Sequence, residues 1–179
     1  MEIYFVTGNK NKFEEIKSII PELIQLDLEV PEIQELDAKE VIKFKLTEAV
    51  KIHQGRFIVE DTSLYLDCLK GLPGPLIKWF MKTFGGRGLY EIAYKMGNNK
   101  AEAKTIIGYS TGAGEVHFFE GVVEGEMVEP RGVLGWGWDP IFKPLGYTKT
   151  FAEMTPEEKT QVSMRKFAAD KFKAFLNDH

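Results

Sequence analysis

The chain is poor in anything that would fasten it covalently or through a metal. It holds one cysteine, Cys68, among 179 residues, so no internal disulfide can form and a reducing, cytoplasmic setting is expected. Its three histidines, His53, His117 and His179, are far apart and lack metal-ligand spacing, which argues against a zinc site. No apolar run approaches the ~20 residues that span a bilayer. The opening MEIYFVTGNK has neither a basic n-region nor an apolar h-region, so neither export nor a membrane partner is expected. Internal repeats, low-complexity tracts and linker-like stretches are missing as well. So is an excess of positive charge: 23 Lys and Arg stand against 27 Asp and Glu, a formal net charge of −4. That argues against a nucleic-acid polymer as partner, but not against a small anion held by a few lysines.

What is present suits a folded domain. Hydrophobic residues make up 44%, too many for a disordered chain, and the length fits one domain or two tightly joined lobes. A strand is expected over Glu2 to Val6 and a helix from about Asn11 to Ile20, with Phe13, Ile16, Ile19 and Ile20 inward and Pro21 as the stop. An extended piece covers Ile24 to Val30. A second helix runs from Ala38 to His53, with Val41, Ala49 and Ile52 on one stripe. Strands follow at Arg56 to Glu60 and Leu64 to Leu69, separated by a turn at Asp61-Thr62-Ser63. Gly71-Leu72-Pro73-Gly74-Pro75 opens a helix over Leu76 to Phe84, and another covers Leu89 to Met96. Thr105 to Ser110 and Val116 to Val123 read as a hairpin around Thr111-Gly112-Ala113-Gly114. Short strands are expected at Gly125 to Pro130 and Ile141-Phe142. A last helix starts at the capping box Thr155-Pro156-Glu157-Glu158 and runs through Val162, Phe167, Phe172 and Phe175. The pattern is α/β with a mixed sheet and a distinct antiparallel lobe.

Several places could carry chemistry, each with an ordinary structural alternative. Thr7-Gly8-Asn9-Lys10-Asn11-Lys12 lies between a strand end and a helix start, where backbone N–H groups and the helix dipole favour an anion. It is neither a Walker A loop nor a dinucleotide fingerprint, and a plain turn with solvated lysines is the alternative. Glu60-Asp61-Thr62 follows an apolar strand, where two acids can hold a hard cation such as Mg²⁺ or simply form a turn. Glu32 alone reads as a surface carboxylate. Lys45 shares the stripe of Val41 and Ala49, so it needs an anion or must snorkel. Lys78 follows the rigid Pro-Gly-Pro turn. Trp136, Gly137, Trp138 and Asp139 form a loop suited to stacking on a planar base and reading its edge, with core packing of the rings as the alternative. Lys159, Met164 and Arg165 lie on the last helix, sharing one face only roughly.

Together these motifs resemble the inosine triphosphate pyrophosphatase family, house-cleaning enzymes for non-standard purine nucleotides. Thr7-Gly8-Asn9-x-x-Lys12, Pro31-Glu32, Glu60-Asp61-Thr62, Gly71-x-Pro73-Gly74-Pro75 with Lys78, Gly137-Trp138-Asp139-Pro140, Thr150-Phe151-Ala152-Glu153-Met154 and Ser163-x-Arg165 stand in family order along nearly the whole chain. The run GLPGPLIKWF is closer to the eukaryotic branch. The resemblance implies a single nucleoside-triphosphate pyrophosphatase domain over residues 1–179. Its implied fold is elongated and two-lobed, with a long mixed, twisted sheet flanked by helices around a central substrate cleft, usually in a homodimer. It implies Mg²⁺-dependent hydrolysis of ITP, dITP and XTP to the monophosphate and pyrophosphate. Thr7, Gly8, Asn9, Lys10, Asn11 and Lys12 would then cradle the triphosphate, helped by Lys45, Lys78 and Lys159. Glu32 and Asp61 would hold Mg²⁺, Asp61 would orient or deprotonate the attacking water, and Thr62 would line the same pocket. Trp136, Gly137, Trp138 and Asp139 would bind the base, and Arg165 would donate to the 6-oxo group. Where the family reads Ser-His-Arg this chain has Met164, which removes an N–H donor and implies weaker or broader base selection. A related pyrophosphatase for modified pyrimidine nucleotides and a non-catalytic nucleotide-binding module are the competing readings.

Overall fold

The computed structural model describes residues 2–112 and 114–178; Ala113 of the expected hairpin turn and His179 lie outside them. Among the described residues seven strands form one mixed sheet. β1 (Ile3–Val6) is the expected first strand, and it pairs in parallel with β2 (Leu23–Leu26) and β3 (Arg56–Leu66). β4 (Pro73–Gly74) pairs antiparallel with β3. β5 (Lys100–Ser110) and β6 (Val116–Met127) are neighbours, and β7 (Phe142–Pro144) runs antiparallel to β6, giving the order β2-β1-β3-β5-β6-β7. The strand expected at Gly125 to Pro130 is the end of β6, and β7 begins after a 3-10 turn at Asp139–Ile141.

Compactness divides the chain into two units. One comprises Met1–Thr62, Thr105–Gly121 and Arg165–His179, the other Ser63–Lys104 and Val122–Met164. In the first unit, α1 (Lys10–Lys17) and α5 (Met164–Asp178) cover one face of the sheet. There Phe13, Ile16, Ala168, Ala169 and Phe172 bury Phe5, Ile58 and Ile107. α2 (Ala38–Ile52) covers the other face, where Ala38, Ile42, Leu46 and Ala49 pack on Val6, Phe57, Val59 and Ile106. The alternation of strand side chains between faces thus decides what each β3 residue meets. The second unit has its own core, built from Leu64, Leu66, Ile77, Leu89, Met127, Trp138, Phe142, Phe151 and Met164 among others. Among the described residues no helix is long and apolar enough to cross a membrane.

Local chemistry explains where elements start. Asn9 caps α1 by accepting from the Lys12 N–H at 3.1 Å, so the helix begins one residue before Asn11. It ends at Lys17, earlier than expected, where the Ile19 N–H turns back in a 3-10 bond to the Ile16 carbonyl and the Ser18 hydroxyl donates to the Glu15 carbonyl; Ile20 is nevertheless buried. Ile52 is exposed rather than on the buried stripe of α2, being its last residue. α3 (Ile77–Lys95) spans both expected helices, with Gly85 at φ 65° and ψ 176° marking the break between them.

Two expectations about breaks are corrected. β3 continues through Asp61-Thr62-Ser63, so these residues sit inside a strand and not at its carboxyl end. The parallel pairing to β1 stops at Ile58 and the antiparallel pairing to β4 begins at Leu64, while β5 lies along the other side of β3 and places Thr105 against Thr62. Conversely, the last helix is two. α4 (Pro156–Val162) carries the expected capping box, and Ser163 then takes an extended conformation (φ −82°, ψ 144°) before α5. Lys159 and Arg165 therefore do not share a helix.

Candidate active site

The loop before α1 is shaped by its own side chains. Thr7 Oγ1 accepts from the Asn9 N–H at 3.1 Å, and Gln25 Nε2 donates to the Thr7 carbonyl at 3.0 Å. Gly8 is kept slim by its neighbour, since an added Cβ would lie 2.9 Å from Asp27 Oδ1. Lys10 and Asn11 are exposed at the helix start, where the first amides lack intrahelical acceptors. Lys12 alone turns inward, and its Nζ reaches Glu60 Oε2 at 2.7 Å.

Glu60 and Thr62 are two residues apart on β3 and so share the face covered by α1 and α5. Glu60 is fully buried. Its Oε1 accepts from the Thr62 hydroxyl and from Arg165 NH2 at 3.3 Å, while Thr62 Oγ1 also accepts from Arg165 NH2 at 3.0 Å and contacts Thr105 Oγ1 at 3.0 Å. Arg165, 1% exposed, makes a further ion pair with Glu15 of α1. Burial raises the Glu60 pKa, but the charges of Lys12 and Arg165 and the hydrogen bonds from Lys12 and Thr62 outweigh it, holding the carboxyl at about 2 against an ordinary 4.5. Arg165 is a buried guanidinium held by acidic and hydroxyl partners.

Asp61 belongs to the opposite face of β3, in alternation with Phe57 and Val59, which pack on α2. Glu32 is brought to that same helix by an ion pair with Lys45, so the stripe lysine has its anion. Among the described residues no group of three or more His, Cys, Asp or Glu gathers as a metal cage. The donor chemistry of Glu32 and Asp61 nevertheless suits Mg²⁺, which takes one or two carboxylates and completes its shell with waters and phosphate oxygens.

In the second unit the Gly/Trp loop folds back on Asp139, whose Oδ2 accepts from the Trp136 N–H at 2.8 Å and from Lys159 Nζ at 2.7 Å. Gly135 permits this: at φ 77°, a side chain there would put its Cβ 2.2 Å from Asp139 Oδ2. Lys159 is buried and lies over the Trp136 ring at 5.6 Å, so it belongs with the loop and its acid. Gly137 is exposed at φ 63°. Trp138 takes the core-packing alternative, 8% exposed and packed edge-on against Phe142 and beside Phe151. Trp136 is the half-buried ring of the pair. Lys78 is exposed at the start of α3 with its Nζ 5.9 Å from the Trp79 ring.

Met164 is 2% exposed in the apolar core of the second unit, where its thioether fills space. Met164→His would bury an imidazole there. The variant is expected to lose about 1–3 kcal/mol of stability, read as a lower Tm, without a gain in base selectivity.

From the sequence Glu60 stood only as one of two acids beside Asp61, without its cation partners, and Glu15 was missed as a member of the same network. Glu60 sits at strand spacing from Thr62 and Glu15 at helix spacing from Lys12, which are signals only once their elements are known. Their shared partner Arg165 lies 105 and 150 residues away along the chain.

The profile of the Ham1 family matches residues 3–175. An inosine triphosphate pyrophosphatase of Schizosaccharomyces pombe is 42% identical over 178 residues, covering 97% of this chain and 94% of the relative. The solved Ham1 protein of Staphylococcus aureus superposes with a TM-score of 0.80 at 28% identity, covering 99% of each chain. A nucleoside-triphosphatase, dITP/XTP pyrophosphatase, of Mycobacterium abscessus gives a TM-score of 0.76 at 27% identity over 98% of this chain and 99% of that one.

Proposed function

The chain belongs to the Ham1 family, and from that premise we propose that it cleanses the nucleotide pool by hydrolysing ITP, dITP and XTP to the monophosphate and pyrophosphate, with Mg²⁺ as cofactor. The reading takes residues 1–179 as one catalytic domain. The observation that carries it is the Lys12–Glu60 ion pair, which ties the anion-suited loop before α1 to the strand that bears Asp61. Relatives with full-length similarity named for inosine triphosphate support the purine substrate class.

In this reading, water oxygen attacks the α-phosphorus, the bond from that phosphorus to the bridging oxygen of the β-phosphate breaks, and pyrophosphate leaves. Asp61 orients the water and takes its proton. The loop Thr7 to Lys12 receives phosphate oxygens at its amides and at Lys12, with Lys45 and Lys78 adding positive charge. Glu32 and Asp61 would hold Mg²⁺, which supplies charge neutralisation on the phosphates. Trp136 offers a ring face to the purine, with Gly137, Asp139 and Lys159 fixing the loop around it. Arg165 donates to the 6-oxo group, where the amino group of adenine would leave the donor unmatched. Trp79 and Phe84, exposed on α3, are proposed to serve a homodimer contact.

The test is a nucleotide panel scored for pyrophosphate. ITP, dITP and XTP with Mg²⁺ should release pyrophosphate and monophosphate, ATP at least about tenfold less efficiently, and chelator should stop release. Release of orthophosphate, or a preference for modified pyrimidine nucleotides, overturns the reading.

A further inference from the structure

We propose that Glu60 is a positioning residue for substrate selection, holding Lys12 of the N-terminal loop and Arg165 of α5 with the two oxygens of one carboxylate. The inference rests on the purine-triphosphate reading and adds to it how the two cations are set. Glu60 exposes none of its side chain, and a carboxylate is a poor filler for such a place unless its partners need it. Both of them do. Oε2 is spent on Lys12 at 2.7 Å and Oε1 on Arg165 at 3.3 Å, so neither cation can shift without disturbing the other's anion.

The grip on Arg165 is doubled. Its NH2 donates to Thr62 Oγ1 at 3.0 Å as well as to Glu60, while the Thr62 hydroxyl itself donates to Glu60 and meets Thr105 Oγ1 at 3.0 Å. Glu15 holds the other terminal nitrogen, so the plane of the guanidinium is fixed from two sides. A phosphate that draws Lys12 away from Oε2 leaves the whole carboxylate charge to Arg165. Triphosphate capture at the loop and the aim of the arginine are thereby coupled through one side chain.

The test compares kcat/KM for ITP and ATP in wild-type enzyme, Glu60→Gln, Glu60→Asp and Thr62→Val. A residue that only supports folding lowers both values together and leaves their ratio unchanged. The inference expects the ITP-to-ATP ratio to fall by about tenfold in Glu60→Gln and about threefold in Thr62→Val, because a loosened arginine discriminates less. Glu60→Asp keeps the charge but reaches one cation only, so its ratio should fall in between. If Glu60→Gln does not fold, the other two variants decide. A wild-type preference for ITP that survives within twofold in every folded variant overturns this inference alone. A wild-type enzyme without that preference overturns the functional reading and this inference with it.

Discussion

Asp61→Asn is expected to lower kcat for pyrophosphate release from ITP by about a thousandfold, inside the ~10²–10⁴ that a positioned base contributes. The amide keeps the size and much of the hydrogen bonding of the carboxylate but cannot take the proton from water. Asp61 is only partly buried on β3, so Tm should move little, within the ~0.5 kcal/mol typical of such positions. A stopped enzyme with unchanged Tm separates loss of chemistry from loss of fold. Residual activity above about a tenth of wild type would remove Asp61 from the role of base, because a base contributes at least ~10²-fold. ITP binding should persist in the variant, since the loop before α1 and Lys12 are untouched.

Arg165→Met carries the largest expected cost in stability. Methionine keeps an unbranched apolar stem but leaves Glu60, without any exposed surface, to Lys12 and Thr62. Breaking one arm of a buried ion network costs about 3–5 kcal/mol. For a chain of 179 residues this corresponds to a fall in Tm on the order of 10 °C. Acid should expose the same network. The folded Glu60 pKa, about 2, lies below its ordinary 4.5, so the carboxylate stabilises the fold above pH 4.5. That contribution, roughly 3 kcal/mol, drains away as pH falls from there towards 2. Glu153, which accepts from the Thr150 N–H, and Glu158, bonded to Lys149 and the Thr155 N–H, are lowered too and lose stabilisation in the same direction. Without Arg165 the Glu60 carboxyl should protonate at higher pH, moving acid unfolding upward; an unchanged acid midpoint in Arg165→Met would refute the network's role.

Legibility of the site divided by distance along the chain. The loop before α1 was readable because Thr7 and Asn9 bond to groups within three residues, as the Asn9 cap shows. The Thr155 capping box and the break at Gly85 were readable for the same reason. The stripe of Val41 and Ala49 left Lys45 either to find an anion or to snorkel, and only the fold supplies Glu32. The tryptophans were different: both sit on a glycine loop, and nothing local distinguishes the half-buried Trp136 from the core residue Trp138. Asp61-Thr62-Ser63 failed as a turn because its alternative partners are supplied from far along the chain.

By itself the sequence determined the α/β class, most element starts, the family resemblance and the set of charged residues that chemistry would need. Those depend on hydrogen bonds and periodicities a few residues long, and on the order of motifs. Only the tertiary structure decided which charges meet. The register of β3 sends Glu60 and Thr62 to one face and Asp61 to the other, and the extended Ser163 leaves Met164 in one unit's core while Arg165 joins the other's buried acids. Electrostatic pairing is set by distance in space, and the low dielectric of the interior makes each such pairing count. The net charge of −4 is a sum over the whole chain; where a single buried carboxylate binds two cations is a fact of the fold.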